Sequence, residues 1–185
     1  MNLLTRAICF AAEKHEGQTR KGSGVPYIVH PVEVVAIAAS VTEDETVQAA
    51  AALHDVVEDC GVTPGEIVAL FGARVAKLVA ADTEEKREEL PAADTWKQRK
   101  QETVDALLQM ERDGKIIVLS DKLSNLRSLS RDYAQVGDAL WGRFNCKVKA
   151  EHAWYYRSIR DALQADFGET QAFRELAELI DKIFA

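Results

Sequence analysis

The feature that most constrains this sequence is a run of nine residues, 51–59, that sets four ionisable side chains into an apolar helix. Apolar residues recur at positions 47, 50, 53, 56 and 57, and this spacing predicts one buried helix. His54 and Asp55 are neighbours in it, and Glu58 and Asp59 follow one helical turn later. Because burying several carboxylates without a cation is costly, the run favours a bound metal ion over the alternative, a solvated helix face.

Helical patterns follow one another along the rest of the chain, and no pair of strands joined by a hairpin turn is evident. We predict helices over 2–15, 31–39, 42–60, 64–72, 73–81, 95–112, 115–129, 138–164 and 170–184. Capping boxes are predicted to open three of them, at Thr42, Thr63 and Thr95. Residues 116–119 are also compatible with a short strand.

These elements predict an all-α fold, a single helical bundle of about eight to ten helices. Its helical core is expected over 1–165 and its C-terminal helix over 169–185, in one domain of 185 residues. Two loops separate helices: residues 16–29, which are rich in glycine, and residues 82–94, which are acidic and expected to be mobile.

Composition excludes several classes of function. A formal charge of −7 argues against broad nucleic-acid binding, and no apolar run is long enough to span a membrane. The N-terminal apolar stretch is too short for a signal peptide and is interrupted by Arg6. Three widely spaced cysteines, Cys9, Cys60 and Cys146, suggest free thiols in a reducing cytoplasm. The oligomeric state is not indicated by the sequence.

A second histidine and a distant aspartate extend the metal hypothesis. His30 lies between a loop and a helix, where its alternative role is a helix cap or a buried imidazole. Asp121 belongs to a polar stripe on an apolar helix, which would otherwise be a solvated face. With His54 and Asp55 they supply two imidazoles and two carboxylates, a set that suits Mn²⁺, with Fe²⁺, Co²⁺ or Zn²⁺ as alternatives. We interpret Cys60 as a packing residue.

Two basic segments are candidates for binding a small anion. Arg20, Lys21 and Ser23 lie in a glycine-rich loop, where the backbone can approach a phosphate closely and the cations can pair with it. Residues 96–100 combine Trp96 with three cations and one amide at a predicted helix start. The alternatives are an exposed basic turn and a surface helix with Trp96 packed inward.

Three ordered motifs resemble a known family. Residues 15–31 contain His-x-Gly-Gln-x-Arg-Lys-x-Ser-Gly-x-Pro-Tyr-x-x-His-Pro, residues 53–59 contain Leu-His-Asp-Val-Val-Glu-Asp, and residues 121–127 contain Asp-Lys-Leu-x-Asn-Leu-Arg. The His and His-Asp spacing followed by a distant Asp resembles the HD-domain metal-dependent phosphohydrolases. Over roughly residues 3–130 the finer pattern is similar to the hydrolase domain of RelA/SpoT-type alarmone enzymes. Segments 141–145 and 154–156 resemble stand-alone small alarmone hydrolases.

The resemblance implies a Mn²⁺-dependent hydrolase that removes the 3′-pyrophosphate of guanosine tetra- or pentaphosphate. It implies that His30, His54, Asp55 and Asp121 hold the metal and that Glu58 and Asp59 handle the attacking water. The implied substrate contacts are Arg20, Lys21, Ser23, Lys122 and Asn125. The pattern departs from the family at Ser120, where alanine is expected, and in the acidic loop 82–94, which matches nothing firmly.

Two other functions stay open at this point. One is hydrolysis of a different nucleotide on the same scaffold, such as NADPH, an adenosine alarmone or a nucleoside monophosphate. The other is a nucleotide sensor with little turnover, although Glu58 and Asp59 argue against it because a pure binder does not need a water-activating pair. In each case the partner is a small nucleotide. The length leaves no room for the synthetase domain of the long enzymes, so we expect degradation of the alarmone and not synthesis.

Overall fold

A computed structural model describes residues 1–83 and 89–185 of the chain, and there the all-α prediction is confirmed. The α-helices of these residues are α1 (Leu3–Lys14), α2 (Val29–Ala39), α3 (Glu45–Leu53), α4 (Val56–Asp59), α5 (Pro64–Phe71), α6 (Ala73–Asp82), α7 (Ala92–Gln109), α8 (Arg112–Val136), α9 (Lys149–Phe167) and α10 (Gln171–Phe184). A 3₁₀ helix spans Gly137–Arg143. Within the described ranges β pairing is limited to one isolated bridge between Thr19 and Pro26.

The chain divides into two compact units. The first contains residues 1–83 and 111–124, and the described part of the second contains residues 89–110 and 125–185. Helix α8 contributes its first half to the first unit and its second half to the second. Among the described residues no helix is both long and apolar enough to cross a membrane.

Helix α3 is the centre of the first unit. Helices α1, α2 and α6 pack against it, and all of its residues from Ala49 to Leu53 are buried. Four successive alanines, residues 49–52, give α3 a narrow surface, so its neighbours can approach the backbone closely. The residues that follow this helix are therefore delivered directly into the interior of the unit.

The predicted continuous helix over 42–60 is wrong at both its start and its middle. Helix α3 begins after Asp44, whose carboxylate accepts a hydrogen bond from the Thr46 amide at 2.8 Å, while the Thr42 hydroxyl accepts from the Asp44 amide, which precedes the helix. Asp44 replaces Thr42 as the cap because its carboxylate can reach the free amides of the first turn. The chain then bends at His54 and Asp55, and α4 resumes at Val56.

Several other boundaries differ from the prediction for identifiable reasons. The helix predicted over 138–164 is wrong at its start, because Gly137 has a φ of 56°, ends α8 and leads into the 3₁₀ helix, and α9 begins only at Lys149. Helix α7 begins at Ala92, before the predicted cap Thr95, which is buried and accepts a hydrogen bond from Arg99. The strand alternative over 116–119 is wrong, since these residues lie within α8. Part of the predicted loop 82–94, residues 84–88, lies outside the described residues.

Other predictions are confirmed. Thr63 forms the predicted capping box with Glu66, and Pro64 occupies the first helical position of α5. The final helix is observed as α10, within one residue of its predicted bounds. Helix α2 begins slightly earlier than predicted, so His30 and Pro31 lie in its first turn.

The second unit is held by an aromatic cluster around a buried histidine. The ring of His152 lies 5.1 Å from that of Trp96, 5.0 Å from that of Trp141 and 5.2 Å from that of Phe144. Because Trp96 is buried there, the predicted basic segment 96–100 fits its alternative interpretation, a surface helix anchored by tryptophan. The Lys97 ammonium pairs with a carboxylate of α9 and lies 3.3 Å from the centre of the Trp154 ring.

Candidate metal centre and active site

Three elements of the first unit bring two imidazoles and two carboxylates to one point. Helix α2 supplies His30, the bend after α3 supplies His54 and Asp55, and α8 supplies Asp121. The Nε2 atoms of His30 and His54 are 3.2 Å apart. Asp55 Oδ2 lies 2.9 Å from His54 Nε2, and Asp121 Oδ1 lies 3.1 Å from His30 Nε2. We call these four residues the His–Asp cluster.

The His–Asp cluster is buried, which rules out the solvated alternatives for its members. His30 is 3% exposed, His54 is 2% exposed and Asp121 is 5% exposed. One ligand atom from each of these three residues lies within 4.8 Å of the other two. Asp55 is more accessible, with a side chain 19% exposed, so it marks the side of the cluster that faces solvent.

The donor atoms fit a divalent cation. His54 Nδ1 lies 2.9 Å from the carbonyl oxygen of Ala51, which can only accept, so Nδ1 carries a proton, and Nε2 is the ring nitrogen that faces the cluster and could bind an ion once its own proton is lost. Ligands about 2.1 Å from an ion are expected about 3.0 to 3.4 Å apart, depending on the coordination angle. The shortest distances between donor atoms of the cluster, 2.9, 3.1 and 3.2 Å, agree with that expectation.

The electrostatics of the cluster also call for a cation. Burial alone would raise the pKa of Asp121, but Lys122 and the two imidazoles lower it far below its usual range. Burial likewise opposes the charge on His54, yet Asp55 and Asp121 raise the pKa of His54 to about 10. Two aspartates therefore retain a proton on an imidazole that would otherwise be neutral. A divalent ion would satisfy the same carboxylates without that proton.

Tyr27 connects the cluster to the acidic residue one turn beyond it. Its hydroxyl donates to Asp55 Oδ2 at 2.6 Å and lies 3.4 Å from Asp59 Oδ2. Burial and the neighbouring Asp55 raise the pKa of Tyr27, so it is a persistent proton donor to these carboxylates. The ring packs on that of His15 at 4.7 Å. Tyr27 was part of the sequence motif, but the pattern alone gave it no role.

Glu58 and Asp59 lie on α4, at the exposed edge of the cluster. The bend at 54–55 preserves their spacing, because the Asp59 amide donates to the Asp55 carbonyl at 2.8 Å and completes a helical turn. Asp59 is exposed and Glu58 is half-buried. Their predicted role in handling water is compatible with this position and stays a prediction.

The glycine-rich loop is an ordered reverse turn that carries its cations outward. The Arg20 amide donates to the Val25 carbonyl at 2.8 Å, and Gly22 has a φ of 78° where the chain reverses. The guanidinium carbon of Arg20 lies 5.5 Å from the centre of the Tyr27 ring, and Lys21 is exposed. The Ser23 hydroxyl lies 3.4 Å from the Arg20 carbonyl, so it stabilises the turn. The predicted nucleotide contacts of these residues stay predictions.

The two substrate contacts predicted on α8 have different surroundings. The Lys122 ammonium pairs with the Asp121 carboxylate. Asn125 follows in the second unit and is half-buried. The first arrangement places Lys122 beside a metal-ligand candidate, where it contributes positive charge, and neither predicted substrate contact is tested by the fold.

Three residues of the site were missed from sequence. Ser124 and Glu33 line the far side of His30, where Ser124 Oγ is 2.8 Å from His30 Nδ1 and donates to Glu33 at 2.7 Å. Asp82, taken as the start of a loop, is the last residue of α6. Burial and repulsion by Asp121 raise the pKa of Asp82 to about 6, although the nearby Lys122 acts to lower it. A helical spacing of three from each ligand, 30 to 33 and 121 to 124, was the signal for the first two.

Cys60 fits its interpretation as a packing residue. Its sulfur lies 3.3 Å from His15 Nδ1 and 3.7 Å from Gln18 Nε2. Cys9, Cys60 and Cys146 are all free thiols.

Comparison with known proteins agrees with this geometry. Residues 7–147 match the HD domain. MESH1 of Danio rerio, named a guanosine-3′,5′-bis(diphosphate) 3′-pyrophosphohydrolase, is 40% identical over 133 residues, which are 70% of this chain and 70% of that protein. A Vibrio cholerae protein of the same activity name is 42% identical over 129 residues, 68% of this chain but only 18% of that protein.

Solved structures give the same result for the fold. A structure described as a metazoan orthologue of SpoT that hydrolyses ppGpp matches with a TM-score of 0.77 and 27% identity, over 98% of this chain and 96% of that chain. A Listeria monocytogenes protein matches with a TM-score of 0.73 and 32% identity, over 84% of this chain and 98% of its own. The fold and the buried cluster are those of a metal-dependent hydrolase. The chain belongs to the HD-domain family.

Removing ligand atoms from the cluster tests the assignment of the metal centre. His54→Ala and Asp55→Asn should each weaken Mn²⁺ binding by more than about 100-fold, above the usual effect of losing an outer partner of a ligand. Binding is measured by titrating the chelator-stripped protein with Mn²⁺ and following free Mn²⁺ by electron paramagnetic resonance. Asp59→Asn, a matched change outside the cluster, should bind Mn²⁺ normally. Full occupancy in both cluster variants would remove these residues from the coordination sphere.

The raised pKa of Asp82 predicts a pH-dependent gain in stability when its charge is removed. With a folded pKa of about 6 and an unfolded value of about 3.9, the folded state binds the proton more tightly. The contribution of Asp82 to the stability of the metal-free protein therefore falls as the pH rises from about 4 to above 6. Asp82→Asn should raise the melting temperature of metal-free protein at pH 8 and leave it unchanged at pH 4.

The same change at an exposed carboxylate of α7, Asp105→Asn, is the control, and it should shift the melting temperature little at either pH. If the Asp82→Asn protein melts at the wild-type temperature at pH 8, the charge of Asp82 does not destabilise the fold.

Proposed function

We propose that this protein is a Mn²⁺-dependent guanosine-3′,5′-bis(diphosphate) 3′-pyrophosphohydrolase, which converts ppGpp and water to GDP and pyrophosphate. The observation that carries the proposal is the His–Asp cluster with Asp59 joined to its open side through Tyr27. The curated relatives named for this activity support it at 40% and 42% identity. A structural neighbour whose description names ppGpp hydrolysis supports it over nearly the whole chain.

The donor set supports the choice of metal. Two imidazole nitrogens with two carboxylate oxygens suit a borderline divalent ion, and this set includes no thiolate. His30, His54, Asp55 and Asp121 would hold Mn²⁺. The ion would polarise a phosphoryl oxygen and lower the pKa of the attacking water.

Glu58 and Asp59 would accept the proton of that water. The water oxygen attacks the phosphorus bonded to O3′, the O3′–P bond breaks, and the proton passes to O3′ of the departing GDP. Tyr27 donates to Asp55 Oδ2 and lies 3.4 Å from Asp59 Oδ2, so its hydroxyl lies between the two carboxylates and limits the freedom of the base. Asp59 remains exposed enough to exchange its proton with solvent between turnovers.

The reverse turn that carries Arg20 and Lys21 would supply the positive charge for the substrate. The whole chain has a formal charge of −7, so a polyanionic nucleotide is repelled by the average surface and needs a local cationic site. Arg20 can present two parallel N–H groups to a phosphate, and the Tyr27 ring beneath it limits its rotamers. Lys122 and Asn125 are the further contacts of this proposal.

The proposal includes a cytoplasmic location, which the three free thiols support, and a small nucleotide as the substrate. Neither nucleic acid nor a membrane enters it. NADPH, adenosine alarmones and nucleoside monophosphates are the competing substrates, and a sensor with little turnover is the competing class. A panel of these nucleotides assayed with Mn²⁺ and resolved by chromatography distinguishes them, and preferred cleavage of any competitor over ppGpp would overturn the substrate assignment.

The bond that breaks and the residues that activate water can be tested together. In ¹⁸O-water, ppGpp should give GDP and pyrophosphate, with the label in pyrophosphate by phosphorus NMR. Glu58→Gln and Asp59→Asn should keep Mn²⁺ binding while kcat falls by about 100-fold or more, the usual share of a general base. Glu13→Gln, an exposed change on α1, should keep the wild-type kcat. Orthophosphate as the first product, or a near-normal kcat in both variants, would refute this mechanism.

Arg20→Ala tests the cationic turn. Loss of one charge-assisted phosphate contact should cost about 1.5–3 kcal/mol, or a fall of about tenfold to a hundredfold or more in kcat/KM, with Mn²⁺ binding unchanged. The kcat/KM of Arg20→Lys should lie between those of the wild type and Arg20→Ala, since lysine keeps the charge and loses the planar fork. Arg131→Ala, an exposed change on α8, is the control. Wild-type kinetics for Arg20→Ala would return the turn to a structural role.

A further inference from the structure

We propose that Glu33 and Ser124 form a positioning relay that fixes the tautomer of His30 and keeps its Nε2 lone pair directed at the metal. The inference rests on the metal-dependent function proposed above and adds two residues to it. Ser124 meets His30 at Nδ1, the ring nitrogen opposite the Nε2 atom that faces the cluster. Both act through His30, so they are positioning residues and not ligands.

The geometry of the relay is continuous. His30 Nδ1 lies 2.8 Å from Ser124 Oγ, and Ser124 Oγ lies 2.7 Å from Glu33 Oε2. The serine is 1% exposed and the histidine 3% exposed, so water does not compete freely for the first of these bonds. Glu33 is half-buried on α2.

Hydrogen-bond accounting gives the relay a direction. A serine hydroxyl has one proton to donate, and an ionised carboxylate can only accept. Ser124 therefore donates to Glu33 and must accept from His30, which requires the proton on Nδ1. The Nε2 atom of His30, 3.2 Å from Nε2 of His54, is left with its lone pair facing the cluster.

The two imidazoles reach the same tautomer by different means. His54 donates to the backbone carbonyl of Ala51, one turn earlier on its own helix, and that acceptor is present whatever the local side chain. The acceptor for His30 is a side chain on another helix, and its direction depends on a third residue. The relay also places a carboxylate behind His30, which makes Nε2 a stronger donor to a cation.

The test compares variants by two readouts that need no nucleotide. The first is Mn²⁺ affinity of the chelator-stripped full chain, measured by competition with a fluorescent chelator. The second is the long-range ¹⁵N–¹H correlation pattern of His30 in ¹⁵N-histidine-labelled, metal-free protein at a pH where that ring is neutral. The wild type should show the proton on Nδ1.

Ser124→Ala should weaken Mn²⁺ binding by about tenfold to a hundredfold, the usual effect of removing a partner of a ligand, and should mix the two tautomers of His30. Glu33→Gln should keep the Nδ1 tautomer, because the amide oxygen can still accept from Ser124, while Mn²⁺ binding weakens less than in Ser124→Ala. Glu33→Gln leaves Ser124 in place, so it can still test the relay if the Ser124→Ala protein does not fold.

The matched control is Ser120→Ala, the same change at a fully buried serine of the same helix. The Ser120 hydroxyl donates to the Ile116 carbonyl of its own helix, so its loss should alter neither readout. Wild-type His30 with its proton on Nε2, or Ser124→Ala indistinguishable from Ser120→Ala in both readouts, would overturn the relay. Failure of the chain to cleave ppGpp would overturn the proposed function and leave these two readouts unaffected.

Discussion

The cost of burying charge governs the first unit. Two carboxylates and two imidazoles meet within hydrogen-bond distance in a region that excludes most water, and carboxylates so placed are costly without a cation. In the metal-free state the Lys122 ammonium and a proton on His54 are the counterions, which explains why the pKa of His54 rises although burial opposes its charge. The same balance makes metal binding a stabilising event, because an ion replaces the proton and satisfies all four donors.

The helices around the His–Asp cluster bring its four residues together. Helix α3 is lined by small residues and lies among three other helices, so it can deliver His54 and Asp55 into the interior. The bend at these two residues then frees their side chains from strict helical spacing while the following turn retains Asp59 close to Asp55. Tyr27 uses that proximity, since one hydroxyl can reach both carboxylates only if they are on the same side of the bend.

Sequence patterns predicted the fold class and the residues that converge on the cluster because both depend on periodicity and residue type. They failed where a choice depended on tertiary contacts. Asp44 and Thr42 are equally plausible caps by composition, and only the start of α3 decides between them. Asp82 looked like the edge of an acidic loop, because its distance to Asp121 along the chain hides their electrostatic coupling. Glu33 and Ser124 come from separate helices and had no common motif.

The two ways of holding an imidazole have different consequences for substitution. His54 depends on a backbone carbonyl, so neighbouring side chains can change without altering its tautomer. The tautomer of His30 depends on Ser124, and the direction of the Ser124 hydroxyl depends on Glu33. A substitution at position 33 or 124 therefore changes which hydrogen bonds the other residue can make. Replacing Ser124 by an apolar residue would leave the His30 N–H and one Glu33 oxygen without these partners, and buried unsatisfied groups cost more than the bonds gain. A residue that can itself accept from His30 at position 124 would make Glu33 dispensable. The two positions are therefore physically coupled, although 91 residues separate them in the chain.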